Sequence, residues 1–403
     1  MKTKTWEINK LEEVCEILDN KRVPISSKNR IRGIYPYYGA SGIVDYIDKY
    51  IFDEELVLIG EDGAKWGAFE NSAFIAEGKY WVNNHAHILK PNNEILINKF
   101  LVYFLNYSNL EKYITGATVK KLNQQKLKQI EIPLPPLEEQ MRIVKILDLA
   151  FEKIDTSVEL LKANLANLDE LAKSVLDRAF NPLGDSTEST QNPSTHDTQS
   201  PYPLPQHWEW KSLGEIANTS SGGTPSRNKK EYWENGNIKW LKSGELNDGY
   251  IDFIEENITE EAIKNSSAKI FQKGTLLIAM YGATAGKLGI LNLDSTTNQA
   301  ICAFLHKDKN IKFLEKFLFY FLFFLRDKII KDSFGGAQPN INQTYIKNLQ
   351  IPLPPIKEQE QIASHLDELS SHVKNLKQNY QAQIKDLQEL KNSLLDKAFK
   401  GNL

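Results

Sequence analysis

From residue 138 to residue 180 no Gly or Pro occurs, and apolar positions recur every seven residues. Val144, Phe151, Val158, Leu165 and Ala172 form one series, and Leu147, Ile154, Leu161, Leu168 and Val175 form a second, three residues later. Five heptads with both seam positions filled predict a coiled-coil helix. A second run later in the chain keeps Leu366, Val373, Tyr380, Leu387 and Leu394, but its other seam holds Ser370, Lys377 and Lys391. An adjacent stripe of Ile362, Leu369, Leu376 and Leu390 supplies the missing apolar width. Each run is long enough for a helix of roughly 65 Å at about 1.5 Å per residue. One such helix cannot bury its own stripe, so the two are expected to pair. Antiparallel pairing requires no return of the chain along the coil. Packing of each helix on its own globular unit is the alternative.

The two runs belong to a longer internal repeat. IPLPPLEEQMRIVKILD, beginning at Ile132, returns as IPLPPIKEQEQIASHLD, beginning at Ile351, an offset of 219 residues. At the same offset Gly116 maps to Gly335, Asn123-Gln124 to Asn342-Gln343, and LDRAF ending at Phe180 to LDKAF ending at Phe399. Sixty-five residues therefore repeat without a gap, and duplication is the reading. Upstream the likeness is weaker. Trp6-Glu7 answers Trp208-Glu209, LVLIGEDGAKWG answers LLIAMYGATAGKLG, and NNHAHIL answers TNQAICAF, while the offset grows from 202 to 219. The chain thus alternates variable and constant units: 1–131, 132–180, a linker at 181–205, 206–350 and 351–403. The linker is rich in Ser, Thr, Pro, Gln and Asn, a composition that does not build a core.

Both variable units begin with a Trp-led segment and then mix short β-like phrases with Gly turns, as in ELVLIG, AFIAEGKYWV, KIFQKGTLLIAMYG and QAICAFL. Apolar helices are expected at 95–107 and 311–325, each followed by a polar Gly loop. The fold class is α+β: two α/β domains and a pair of long antiparallel helices, with a pseudo-two-fold internal repeat.

Composition narrows the function classes. With 49 basic against 52 acidic residues the net charge is −3, which excludes a histone-like polycation but not local basic surfaces. Two distant cysteines, Cys15 and Cys302, offer neither a disulfide framework nor a Cys-rich zinc site; they suit a reducing compartment. FLFYFLFFL, at 317–325, is too short to span a membrane, which takes about 20 apolar residues.

Loop chemistry in the variable units suits nucleic acid. The second unit offers Ser221, Gly222, Gly223, Thr224, Ser226, Arg227, Asn228, Lys229 and Lys230 beside Tyr232 and Trp233, with Lys242, Ser243, Thr284, Lys287, Gln338 and Asn340 further on. Gly222-Gly223 would let the backbone approach a phosphate. The first unit offers Arg30, Arg32, Tyr37, Tyr38, Lys65, Trp66, Lys120 and Lys121. Any one of these is ordinary loop surface by itself. Basic groups interleaved with aromatics and Gly turns in both copies favour DNA contact.

Catalytic patterns are missing. No Asn/Asp-Pro-Pro-Tyr/Phe tetrapeptide occurs, and GATAGKL lacks the spacing and hydroxyl of a phosphate loop. EDGAK, from Glu61, is a weak echo of nuclease sites without a partner acid at a recognisable spacing. His85-x-His87 offers two imidazoles that could ligate a metal, but a structural or hydrogen-bonding role is the stronger expectation.

The duplicated layout, with IPLPP-x-x-EQ opening and LDRAF closing each long helix and SGGTPSR followed by WLKSGE, resembles the specificity subunit of type I restriction–modification systems. The resemblance covers essentially the whole chain. It implies two target-recognition domains, each reading one half of a split site in double-stranded DNA, with the helices as spacer. It further implies two modification (methyltransferase) subunits docked on the constant regions, with Glu139 and Glu358 expected at that face, and restriction subunits beyond them. The methyl donor would sit on the modification subunit, so this chain would carry no cofactor or metal and no catalytic residue. The two distant cysteines fit a reducing cytoplasm. The competing readings are a protein-only coiled-coil adaptor and the detached specificity module of a fused restriction–methylation enzyme.

Overall fold

The computed structural model describes residues 6–183, 202–307, 312–333 and 340–403. The expected linker falls largely on 184–201, outside the described residues, as does Gln338. Two compact units emerge: Met1–Ala163 with Asn379–Leu403, and Asn164–Gln378. The boundary passes through both long helices, so each unit holds one variable domain and a segment of each helix.

Those helices run over Leu137–Phe180 and Ile356–Phe399, 44 residues each. In unit one Ile143 and Leu147, early in the first helix, share a core with Leu395 and Ala398, late in the second. In unit two Leu176 and Phe180, late in the first, meet Ala363 and Leu366, early in the second. Early turns meet late turns in both units, so the pairing is antiparallel. The two lysines that interrupt the second heptad seam have partners across it. Lys391 lies 2.7 Å from Asp155 and spans the ring of Phe151, and Lys377 pairs with Asp169. Their aliphatic stems cover the seam while the ammonium groups reach its edge.

The variable domains share one topology. In unit one a four-stranded antiparallel sheet runs in the order Cys15–Ile17, Ala86–Pro91, Leu56–Gly60, Ala73–Ala76. A second sheet runs Gly42–Ile47, Arg32–Gly39, Lys79–Val82, Phe52–Asp53, with one parallel pair where Tyr37 and Tyr38 lie beside Trp81 and Val82. Unit two repeats both. Ala217–Ser221, Ile301–His306, Leu276–Ala279 and Leu288–Leu291 form the first sheet, with Gly249–Ile251 as a fifth strand at its edge. Asn257–Ile258, Ile238–Leu241, Ser295–Thr297 and Ile270–Phe271 form the second, again with one parallel pair. The added strand lies in the longer stretch that made the repeat offset drift. A two-stranded ribbon closes each domain, joining the Trp-led segment to the IPLP phrase: Glu7–Lys10 with Glu131–Leu134, and Glu209–Ser212 with Gln350–Leu353.

The apolar helices form at Asn98–Tyr107 and Glu315–Phe324, starting later than expected because Ile97 and Leu314 are extended caps. Their first turns explain why EQ recurs in the constant phrase. Gln140, fully buried, accepts from the Ile97 N–H (2.9 Å) and donates to the carbonyls of Ile95 and Pro135 (2.8 and 2.9 Å). Gln359 does the same with Leu314, Lys312 and Pro354. About two turns further, Asp148 accepts from Lys99 and Tyr103, and Asp367 from Lys316 and Tyr320. The repeated motif is thus a clamp that satisfies the orphan groups of a helix start and ties each domain to its own helix.

Among the described residues no helix is long and apolar enough to cross a membrane. The aromatic run at 317–322 is buried against unit two's sheet.

Candidate nucleic-acid interface

In unit one the loop after Leu56–Gly60 and the polar Gly loop at 115–122 come together. Thr115 and Lys121 exchange backbone hydrogen bonds, and the Leu122 N–H donates to the Glu61 carbonyl (2.8 Å). Between the loops lies a cleft of about 480 Å³ lined by Gly63, Lys65, Trp66, Thr118, Val119 and Lys120, with Glu70 and Glu111 also on its walls. Lys65 and Lys120 are exposed there, and neither makes an ion pair among the described residues. Sequence candidates 55 residues apart thus share one surface. Trp66 does not face solvent: it is 5% exposed, and its Nε1–H donates to the Gly60 carbonyl. Its role is to fix the loop that carries Lys65.

Beneath the cleft lies a buried ionic cluster that the sequence left hidden. Glu61 pairs with Lys121 (2.7 Å) and Arg22, and Arg22 also reaches Asp19. The His87 Nδ1 lies 2.6 Å from Asp19, and its Nε2 lies 2.6 Å from the Leu122 carbonyl. Both ring nitrogens thus lie within hydrogen-bond distance of an oxygen. Burial alone would raise the Asp19 carboxyl, but its hydrogen bond with His87 and the charges of His87 and Arg22 outweigh it and hold it below its ordinary value. Glu61 is lowered in the same way: burial opposes, and the bonds from Lys121 and Arg22 win. Asp19, Glu61 and His87 are close enough to ligate a metal, with donor atoms within 4.8 Å of one another. The Arg22 guanidinium already supplies that cation. The cluster therefore holds the 115–122 loop against the 61–65 loop. His85, exposed in the turn just before the strand Ala86–Pro91, bonds Asp62 (2.6 Å).

Tyr37 is also buried, with its hydroxyl accepting from the Ile25 N–H. Arg30 stacks on that ring at 4.4 Å and pairs with Asp45. Tyr38 packs on Phe74 and Tyr80. Arg32 stays exposed and makes no ion pair among the described residues, though its charge acts on Asp45.

In unit two the loop at 221–230 lies beside the second sheet. Gly222 and Gly223 are buried, and their close approach is to the protein rather than to a phosphate. A Cβ on Gly222 would lie 2.0 Å from the Thr297 carbonyl oxygen, and one on Gly223 2.0 Å from the Ser267 Oγ. The glycines let the loop dive between those segments, and the exposed contacts start at Thr224. Ser221 accepts from Gln343, and Thr224 donates to Gln299. Arg227 stacks on Trp233 (3.6 Å) and Trp240 (4.8 Å) and pairs with Glu256 (2.7 Å), which Lys242 also contacts (2.7 Å). Burial raises Glu256, but these two cations outweigh it and keep it below its ordinary value. Lys229 reaches the Tyr232 hydroxyl, and Lys230 lies 3.8 Å from Glu234. Ser226 and Lys230 are exposed on the same loop, and Ser243 starts a short 3-10 turn after Lys242. Thr284 and Lys287 belong to one turn, closed by a backbone bond between them. Asn340 bridges Tyr281, at the position where Lys121 bridges Asp62 in unit one.

The charged cluster has no counterpart here. The strand registers set Ser221, Met280 and Cys302 where unit one has Asp19, Glu61 and His87. Cys15 and Cys302 are both unpaired and buried, and burial pushes each thiol up to about 12.

Glu358, expected at a docking face, accepts from the Trp208 indole (3.0 Å), and Glu139 pairs with Arg142 (2.9 Å). The Glu139 pair is an exposed one within its own helix, and the Glu358 contact joins the helix start to the Trp-led segment.

One α/β design used twice, with unlike polar loops on a like framework, defines a duplicated binding protein whose two domains present different surfaces. The family model for the type I restriction modification DNA specificity domain matches residues 3–167 and 205–386. The chain belongs to that family, the specificity subunits of type I restriction–modification systems. It is 31% identical over 381 residues to a protein of Haemophilus influenzae named as a type I restriction enzyme specificity subunit, covering 90% of this chain and 86% of that one. It is 25% identical to the MjaVIII specificity subunit of Methanocaldococcus jannaschii, covering 91% and 86%. Its fold matches the HsdS subunit from Thermoanaerobacter tengcongensis at a TM-score of 0.57 and 21% identity, over 99% and 98% of the two chains. A chain from a structure of complex assembly in the type I R-M system matches at 0.71, again at 21% identity, over 99% of both.

Proposed function

We propose that this chain is the non-catalytic reader of its restriction–modification complex. Each variable domain recognises one half of a bipartite site in double-stranded DNA. The paired helices set the number of base pairs between the halves and dock two modification subunits, through which restriction subunits join. Methyl transfer and the methyl donor belong to the modification subunits, and the complex works in the cytoplasm.

The observation that carries this reading is the duplication of one fold with divergent cationic loops. Matched frameworks suit two identical partner subunits, and unmatched loops suit two different half-sites. One domain can distinguish only a few base pairs, since a good bidentate base contact contributes about 1–3 kcal/mol of discrimination. Linking two readers multiplies that selectivity without new contacts. Phosphate anchoring is the natural role of Lys65, Lys120, Lys229 and Lys230, and Thr224, Arg227, Gln338 and Asn340 are the candidates for base edges.

Selection from a pool of random duplexes by the chain assembled with its modification subunits tests the reading. The expected product is a motif in two parts with a constant gap. A protein-only adaptor would enrich nothing, and a chain that methylated DNA without partners would overturn the non-catalytic assignment.

A further inference from the structure

Unit one carries an exposed apolar surface that its core does not use. The strands Arg32–Gly39 and Gly42–Ile47 form a ribbon at the edge of their sheet. Its pairing slips twice, once on each strand. Arg32 and Tyr35 both face Ile47, so Gly33 and Ile34 are extra on the first strand. Tyr37 faces Asp45 while Tyr38 faces Ile43, so Val44 is extra on the second. Bulge residues are re-aimed away from the ladder. Ile34 is 79% exposed and Val44 56% exposed, with Tyr46 between them at 49%.

The exposure is built into the backbone. Gly33 passes so close to the opposite strand that a Cβ would lie 2.2 Å from the Ile47 carbonyl oxygen, and only glycine permits that approach. Gly39 likewise leaves room for the Val44 side chain, which a Cβ would meet at 2.8 Å. Two glycines and two bulges thus serve to put an isoleucine and a valine in water.

Three features say what covers them. The ribbon is two strands wide with a free outer edge, a width that the DNA major groove admits. Its turn is continuous with the cationic cleft, because the Ala40 carbonyl oxygen lies 2.8 Å from a Cβ placed on Gly60, at the root of the loop carrying Lys65. Arg32, two residues before Ile34, is exposed and makes no ion pair among the described residues. Apolar side chains along the middle with exposed cations on either side match a groove, whose floor carries thymine methyls and whose rims carry phosphates.

We propose that this ribbon enters the major groove of the unit-one half-site, with Ile34 in apolar contact with a thymine methyl and Arg32 on a flanking phosphate. The proposal rests on the DNA-recognition reading above and deepens it by naming a specificity-determining residue. It applies to one half-site only. The equivalent ribbon of unit two pairs just Ile238 with Ile258 and Lys239 with Asn257 before its strands part.

The test uses the full chain assembled with its modification subunits, in wild-type form and as Ile34→Ser, Ile34→Val and Arg32→Ala. Each form selects from a random duplex pool, and its binding to the enriched site is measured with each thymine replaced in turn by uracil. The expected result is that one uracil in the unit-one half-site weakens the wild type about fourfold, the factor for one methyl-sized contact. Ile34→Ser should lose that sensitivity and relax that position alone, and Ile34→Val should keep most of it. Arg32→Ala should weaken all duplexes and flatten the salt dependence. If Ile34→Ser enriches the wild-type motif with unchanged stringency, the proposal falls while the recognition reading stands. If it instead loses modification subunits in sedimentation with its motif intact, the ribbon is a protein-docking surface and the proposal is wrong. If the wild type enriches no motif, the recognition reading fails and takes this proposal with it.

Discussion

Lysines at coiled-coil seam positions normally weaken a coil, yet here they supply its register. Lys391 lies 2.7 and 2.8 Å from the two Asp155 oxygens and 4.6 Å from the Phe151 ring centre, and Lys377 pairs with Asp169. The side chains of the first pair are 30% and 59% exposed, so solvent screens them. Such a pair contributes about 0.2–1 kcal/mol, and the cation over the ring adds about 0.5–1 kcal/mol. Replacing both lysines with Asp removes these contacts and sets like charges together at both sites. The combined loss should be about 2–3 kcal/mol, allowing a few tenths for each repulsion. With a slope of about 2–3 kcal/mol per molar urea, the unfolding midpoint should fall by about 1 M. Far-UV circular dichroism gives that midpoint, which is the quantity to compare because a two-unit chain does not unfold in two states. Adding Asp155→Lys and Asp169→Lys should restore much of the loss. A lysine-to-aspartate variant as stable as wild type would refute the account, as would a charge swap that fails to rescue. The repeat extends the prediction to half-chains. The offset maps Lys391 to Ala172, Lys377 to Val158, Asp155 to Lys374 and Asp169 to Gln388. Two N-terminal halves, each ending near Asp185, would set their aspartates against Ala172 and Val158 without repulsion and should dimerise by sedimentation. Two C-terminal halves would set Lys391 against Lys374 and should associate less.

Gln140→Ala should cost about 2–4 kcal/mol, because the Ile97 N–H and the carbonyls of Ile95 and Pro135 would lose their buried partner, at about 1–3 kcal/mol for an unsatisfied group; proteolysis near residue 97 would report it. Lys65→Ala with Lys120→Ala should weaken binding to every duplex and reduce the salt slope by about 2 if both touch phosphates; a changed motif at full affinity would contradict that role. Asp19 and Glu61 are lowered in the fold, so their contribution is complete above the ordinary carboxylate range and is lost as pH falls through the folded values. Hydrogen exchange at 115–124, corrected for intrinsic rates, should therefore loosen on acidification before 340–346, where Ser221, Met280 and Cys302 replace the cluster; simultaneous loosening would count against it.

Much of this architecture was legible because it is periodic or repeated. Heptads gave both helices, and the return of IPLPP-x-x-EQ gave the duplication before any strand was placed. The clamp role of Gln140 and Gln359 was not legible, since two of the three partners of each lie more than 40 residues away, outside the repeat. The Trp208 contact of Glu358 was hidden for the same reason, whereas the Glu139–Arg142 pair is an i, i+3 contact within one helix. The loop candidates prove mixed in exposure. Lys65 and Lys120 meet in one cleft, whereas Trp66, Tyr37, Gly222 and Gly223 shape the loops from inside. Aromatics and glycines serve packing and contact alike, and composition does not separate the two. The Asp19–Arg22–Glu61–His87 cluster escaped notice because its members come from three separate segments. The Gly33 bulge escaped because a single glycine in a strand-like phrase carries no distinctive signal.

The central claim is that each variable domain reads its own half of a split site and that the constant helices set the gap. Its most direct test is methylome sequencing of cells that carry the complete system, first with this chain and then with residues 6–131 replaced by the matching segment of a related specificity subunit. The account predicts one bipartite methylated motif with an unvarying spacer, and in the exchange strain a change confined to one half, with the other half and the spacer length intact. A contiguous motif, a variable spacer, or an exchange that alters both halves together would contradict it.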